Sequence, residues 1–303
     1  MNKVALLVVY NHRFDKNISR INDLYKKSFR HVFHLMPFYD GNEPNVIPVY
    51  NNSYYFQSFI SQAYNLLKDQ GFTHYFIISD DLILNPIINE ENLWEITGLP
   101  VDYCMLPYLV EIQNCRIKQW PRIKDALNFQ IKQPGLEIAS ILPSRQEAIE
   151  TFNFHGISTA PIEKDTYAHL YPIKKIKRFA LLRRIAPTIY KNIAPPSINL
   201  DYPLVGGYSD ILMVTADCMQ RFCTYSGAFA AGLLFVEVAL PTAMLLASRK
   251  IAYIKNLKLK NGDMWTPKAK SFLEKYDNSL NNLISDFPKD KLFLHPIKLS
   301  QFK

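Results

Sequence analysis

The chain lacks every cysteine spacing that announces a metal cluster or a redox motif. Its four cysteines, Cys104, Cys115, Cys218 and Cys223, form no CxxC and no zinc-type set, so a reducing compartment is the simpler expectation. A secretory leader is not expected, because Lys3 precedes only seven apolar residues, at 4–10, before Asn11-His12-Arg13. An uninterrupted hydrophobic span is missing too. The one candidate, 226–248, holds Glu237 and Pro241 near its middle. A carboxylate at the centre of a bilayer costs about 2.5–3.5 kcal/mol, so this stretch reads as a buried helical region carrying a functional carboxylate. No internal repeat is evident.

Acidic residues are absent from 171–192, where Lys174, Lys175, Lys177, Arg178, Arg183, Arg184 and Lys191 cluster. Setting these seven against a net charge of +8 leaves about +1 for the rest, so the basicity is a local device. Apolar Ile173, Ile176, Phe179, Leu181, Leu182 and Ile185 interleave with the charges over 172–193. That mixture suits an interfacial element on an anionic membrane surface. A nucleic-acid partner ranks lower, because no nucleic-acid motif accompanies the patch.

What is present is an alternation of strand and helix signals. Residues 3–10 form an unbroken apolar run of the kind buried on both faces in parallel sheets. A polar helical stretch at 18–29 follows, then apolar runs at 32–37 and 46–50. Phe56, Phe59, Ile60, Ala63, Leu66 and Leu67 recur at helical spacing, and Gly71 ends that helix. A further strand at 74–79 delivers two adjacent carboxylates, Asp80 and Asp81. The order β-α-β-α-β predicts an α/β fold with a mainly parallel central sheet flanked by helices. Ligands of such sheets bind beyond the carboxyl ends of the strands, where this pair lies.

From 99 to 200, Trp120-Pro121-Arg122 and prolines at 134, 143, 161, 172, 187, 195 and 196 predict irregular excursions within the same domain. Order returns at 204–214 as a glycine-containing loop, Gly206-Gly207, running past Asp210 into a strand. A helix is expected over about 216–225, and another from Thr266-Pro267 onward. The chain closes with Leu292-Phe293-Leu294-His295.

Paired carboxylates at a strand end suit Mg²⁺ or Mn²⁺, which takes one or two protein carboxylates and fills its other positions with water and phosphate oxygens. With Ser79-Asp80-Asp81, the later Gly206-Gly207 and Phe235-Val236-Glu237-Val238, and the terminal His295, the order of elements resembles a nucleotide-sugar glycosyltransferase of the GT-A type. The motif departs from Asp-x-Asp, since position 79 is Ser. The resemblance implies a single GT-A-like domain, with 1–98 the nucleotide-sugar-binding half and 99–303 the acceptor-binding and catalytic half.

It further implies roles. Asp81, supported by Asp80, would hold the metal, with His295 as a further ligand or a partner of the diphosphate. Glu237 would be the general base, with Asp210 a competitor for that role. Tyr10 and Asn11 at the end of the first strand, Asp40, and Asn52 would flank the nucleotide. The activity implied is metal-dependent, inverting transfer of a sugar to a glycan or lipid-linked glycan, at the cytoplasmic face of a membrane. Two other readings stand beside it. A sugar-1-phosphate nucleotidyltransferase would carry a glycine-rich loop after its first strand, where this chain has Tyr10-Asn11-His12-Arg13-Phe14. A non-catalytic module would use the basic segment to dock on membrane or nucleic acid.

Overall fold

The computed structural model describes residues 2–114, 123–167, 195–266, 271, 273–277 and 279–302. The basic segment at 172–193, Trp120-Pro121-Arg122, Cys115 and the Pro267 helix start lie outside the described residues.

The strands in chain order are β1 (Val4–Val9), β2 (His31–Pro37), β3 (Val46–Val49), β4 (His74–Ser79), β5 (Ile83–Leu84), β6 (Cys104–Leu106) and β7 (Leu109–Glu111). They continue with β8 (Ile162–Glu163), β9 (Ser197–Ile198), β10 (Val205–Gly207), β11 (Ile211–Thr215), β12 (Ile251–Tyr253) and β13 (Phe293–Leu294). Seven of them form one sheet in the order β12-β6-β11-β4-β1-β2-β3. β1 runs parallel to β2 and β4, β2 parallel to β3, and β6 parallel to β12, while β11 runs antiparallel to both β4 and β6. The molecule is therefore α/β, with a mixed, mainly parallel central sheet. β1–β4 come from the first 98 residues, and β6, β11 and β12 from the remainder, so both halves build one sheet.

β1 is buried along its whole length, and its residues alternate between two cores. Ala5, Leu7 and Val9 face the helices Gln57–Leu67, Ala216–Ala231 and Val236–Ala247. Leu6, Val8 and Tyr10 face the helix Lys16–Tyr25 and the C-terminal segment around Phe293 and Leu294. Each such Val or Leu stabilises the fold by about 1.5–3 kcal/mol relative to an exposed side chain. The helix Gln57–Leu67 buries Phe59, Ile60, Ala63 and Leu67, the stripe its spacing predicts, and Gly71 closes the turn after it at φ +71°.

Three expectations need correction. Gly206 and Gly207 do not sit in a loop: they form β10, antiparallel to β7. A Cβ on Gly207 would stand 2.7 Å from the Tyr108 carbonyl oxygen and 3.0 Å from Pro241, so the glycine serves close packing and not a turn. The helix expected over 216–225 extends to Ala231, because its apolar face continues through Phe229. The middle of the chain is also less irregular than its prolines suggest. It supplies β6 to the central sheet and the helix Arg145–Phe154, whose Ser144 and Glu147 form a reciprocal capping box.

The apolar stretch 226–248 is split between the end of the helix Ala216–Ala231 and the helix Val236–Ala247, which pack against each other in the core. Among the described residues no helix is long and apolar enough to cross a membrane.

Candidate functional site

The chain leaves β1 outward through β2 and β3, then returns to place β4 on the other side of β1. Such a reversal marks the carboxyl ends of β1 and β4 as the usual place for a ligand in an open α/β sheet. Asp80 and Asp81 lie there. The Asp80 amide donates to the Val9 carbonyl at 2.9 Å, and the Asn11 amide donates to Asp80 Oδ1 at 3.3 Å, closing the two strand ends onto each other.

The two aspartates diverge. Asp80 is held on the β1 side by Asn11 and by a hydrogen bond from the Asn17 side chain. Burial first, and then the charge of Asp81, push its carboxyl up to about 7. Asp81 turns the other way, toward the segment after β13. Its carbonyl accepts the Ile297 amide at 2.7 Å, and its Oδ1 lies 3.1 Å from His295 Nε2. That oxygen is buried beside the imidazole. The side chain as a whole keeps 27% exposure, so the group spans from the interior to the surface.

Asp210 joins from β11. Since β11 is antiparallel to β4, with Ile211 opposite Ile78, the residue just before β11 meets the residue that ends β4. The Ser79 amide donates to the Asp210 carbonyl at 2.9 Å, and the Ser79 hydroxyl donates to Asp210 Oδ1 at 2.7 Å. This explains the serine in the motif. An aspartate at 79 would set two carboxylates against each other where one hydroxyl now supplies a proton. Asp210 Oδ1 is also 3.8 Å from His295 Nε2. Burial raises the Asp210 carboxyl, opposed by the His295 charge and the Ser79 hydrogen bond.

His295 is almost fully buried and is fixed from several sides. Its amide donates to the Gly262 carbonyl at 3.1 Å, and its carbonyl accepts the Met264 amide at 2.7 Å. Its Nδ1 is hydrogen-bonded to the Tyr208 hydroxyl, and the Trp265 ring meets it edge-on at 5.5 Å. Burial opposes its protonation, but Asp81, Asp210 and Asp263 outweigh burial and raise the imidazole above its ordinary value.

Two members of this cluster, Tyr208 and Asp263, carry no chemical signature in the sequence. Tyr208 lies between Asp263, to which it is hydrogen-bonded, and His295, and it stacks on Phe293 at 5.9 Å. Asp263 is brought in by backbone pairing with His295. Gly262 makes that pairing possible, since a Cβ there would lie 1.7 Å from the Phe293 carbonyl oxygen. The Asn261-Gly262 pair is a turn signal, which marks a loop but not its partner.

Glu237 occupies the first turn of the helix Val236–Ala247 and is half-buried. Tyr108 ties it to the cluster: burial pushes this phenol up to about 12, assisted by the charges of Asp263, Glu237 and Asp210. The charges of these three carboxylates act on one phenol, whose ring also packs on Tyr208 at 5.9 Å.

The expected nucleotide contacts fare unevenly. Asn11 stands at the ends of β1 and β4 through its bond to Asp80. Tyr10 is fully buried, with its hydroxyl 2.8 Å from His34 Nδ1, so its ring is core and cannot stack on a base. Asp40 is an exposed residue paired with Arg13 at 2.7 Å and has no contact with the carboxylate cluster. Asn52 caps the short turn Ser53–Tyr55, its oxygen accepting the Tyr54 amide at 3.0 Å.

Three carboxylates, Asp81, Asp210 and Asp263, act on the His295 imidazole, while Asp80 stays on the β1 side. Among the described residues no three His, Cys, Asp or Glu side chains are arranged to hold a metal ion by themselves. A hard divalent cation does not need three protein ligands when phosphate oxygens complete its shell. Asp81 Oδ1, buried beside His295 Nε2 among further carboxylates, fits such a cation. Comparison with protein-family models and with curated protein sequences finds no match to this chain.

Proposed function

We propose that this protein is a glycosyltransferase of GT-A type that moves a sugar from a nucleoside diphosphate sugar to a glycan acceptor, with Mn²⁺ or Mg²⁺. The observation that carries the reading is the place of Asp81. Its buried Oδ1 lies beside His295 Nε2, at the carboxyl ends of β1 and β4. When bound, the cation supplies Lewis-acid neutralisation of charge on the departing diphosphate.

The remaining work falls to the chain. Asp81 holds the cation, and His295 stands beside it as a further ligand or a hydrogen-bond partner of the diphosphate. Asp80 keeps the ends of β1 and β4 together and adds negative charge to the site. Glu237, on a different element from the Asp pair, is placed to take the proton of the acceptor hydroxyl as that oxygen attacks the anomeric carbon. A base acting opposite the diphosphate inverts that carbon. Asp210, engaged by Ser79, fits sugar-hydroxyl recognition better than proton abstraction, because its Oδ1 already accepts a hydrogen bond. The basic segment at 172–193 suits an acceptor held at the cytoplasmic face of an anionic membrane.

The test is thermal stabilisation across a panel of nucleotide sugars, with and without Mn²⁺, for the wild type and Asp81→Ala. Binding to the native state raises its melting temperature. At least one nucleotide sugar is expected to stabilise the wild type only with Mn²⁺, and Asp81→Ala is expected to lose that effect. Undiminished Mn²⁺-dependent stabilisation of Asp81→Ala removes the metal role, and no stabilisation of the wild type by any donor removes the proposed activity.

A further inference from the structure

Away from the carboxylate cluster, near the opposite end of β11, two thiols meet in the core. Cys104 opens β6, and Cys218 lies in the first turn of the helix Ala216–Ala231. They are 114 residues apart in sequence, yet their sulfurs are 3.2 Å apart, and both side chains are buried. At this distance one thiol hydrogen-bonds the other.

The surroundings favour a thiolate. Thr215 Oγ1 lies 3.6 Å from Cys104 Sγ and 3.3 Å from Cys218 Sγ, so one hydroxyl can serve either sulfur. The hydrogen bond from Cys218 brings the Cys104 thiol down to about 6 against the opposing effect of burial, while the same contact pushes Cys218 up. One proton can thus be shared between the two sulfurs. Cys223, by contrast, is buried with no thiol neighbour among the described residues, and burial raises it.

There is also a way in. Cys218 lines a cleft of about 500 Å³ together with Asp217, Arg221, Leu245, Ser248 and Lys250. Of the pair only Cys218 lines this cleft, and at 1% exposure it can be met by a small oxidant sooner than by a bulky one. Closing the bond requires the sulfurs to move about 1.2 Å nearer, from 3.2 Å to the S–S length of about 2.0 Å.

We infer that Cys104 and Cys218 are a peroxide-reactive pair that closes to a disulfide linking β6 to the helix Ala216–Ala231. The thiolate attacks one peroxide oxygen, the O–O bond breaks, and the leaving oxygen departs as water after protonation. The resulting sulfenic acid is attacked by the second sulfur, the S–S bond forms, and a second water leaves. Two thiols and one hydrogen peroxide thus give one disulfide and two waters, with the peroxide taking both electrons. The bond would close a loop of more than one hundred residues, which constrains the unfolded chain strongly.

The experiment treats the native full-length protein with stoichiometric hydrogen peroxide, then denatures it, alkylates free thiols and maps the peptides. A Cys104–Cys218 linked peptide is expected, with two of the four cysteines still alkylated and the melting temperature raised by roughly 5–10 °C. A dithiol reductant should reverse both changes. Cys223→Ser should keep the link, and Cys104→Ser should abolish it. The wild-type map decides the matter even where a variant folds poorly. A protein that stays native with all four thiols alkylated, or that carries sulfinic acid without the link, overturns the inference.

Discussion

Asp81 Oδ1 approaches His295 Nε2 to 3.1 Å from a strand end more than two hundred residues away in sequence. The charges of Asp81, Asp210 and Asp263 raise the imidazole despite its burial. A histidine whose folded value exceeds its unfolded one, about 6.5, contributes stability that is complete below that value and is lost as pH rises through the folded value. His295→Gln is therefore expected to be less stable than the wild type at pH 6, with the gap closing as pH rises above the ordinary histidine value of about 6.5. Urea midpoints across that range, in the absence of divalent cations, check the slope.

Asp80 titrates in a lower window. Burial and the Asp81 charge lift it to about 7, against about 3.9 in an unfolded chain. Its contribution is complete below about pH 4 and is lost as pH climbs through about 7. Asp80→Asn cannot ionise, so it should gain stability relative to the wild type between pH 5 and pH 8. A midpoint difference that stays constant across this range would refute the raised carboxyl.

Glu237 makes the chemical prediction. Replacing it with Gln keeps the size and removes the base, so transfer should fall by roughly 10²-fold or more. Donor binding, read as Mn²⁺-dependent thermal stabilisation, should be unchanged. Equal loss of both signals would place Glu237 in binding, not in proton transfer.

Glu90 offers a stability test remote from the site. Its carboxylate is 2% exposed, accepts the Val4 amide at 3.1 Å and pairs with Arg30 at 3.0 Å. Glu90→Ala leaves the Val4 amide without its acceptor beside the first core strand. A loss of about 2–3 kcal/mol is expected in chemical denaturation.

Gly262→Ala should cost about 2 kcal/mol or more, because the new methyl meets the Phe293 carbonyl oxygen and the two backbones must part. The same change should move Asp263 away from Tyr208. Tryptophan fluorescence from Trp265, which packs on His295, reports whether that corner has shifted.

Much of the first half was legible in the sequence because its signals are local. The run of Val4–Val9 and the helical stripe of Gln57–Leu67 declare their elements through burial alone. The strand β4 and its Asp pair follow from the same pattern. β6 and β12 did not, since three residues carry too little periodicity to separate a strand from a loop. The direction of β11 was equally hidden, because strand order is decided by packing between distant segments. Tyr10 misled for a physical reason: a tyrosine at a strand end looks the same whether its hydroxyl meets a ligand or, as here, His34. Asp263 and Tyr208 matter only through contacts with residues far along the chain, which no local pattern records.

The reversed direction of β11 has a geometric consequence for what this sheet can present to a ligand. Strands that all run one way can offer their carboxyl edge only side chains that follow a strand. One strand run backwards adds side chains that precede it, so Asp210 arrives from the opposite chain direction to Asp80 and Asp81. The two approaches sit on separate stretches of backbone and can be altered independently. One can change what is recognised without disturbing the fixed pair across from it.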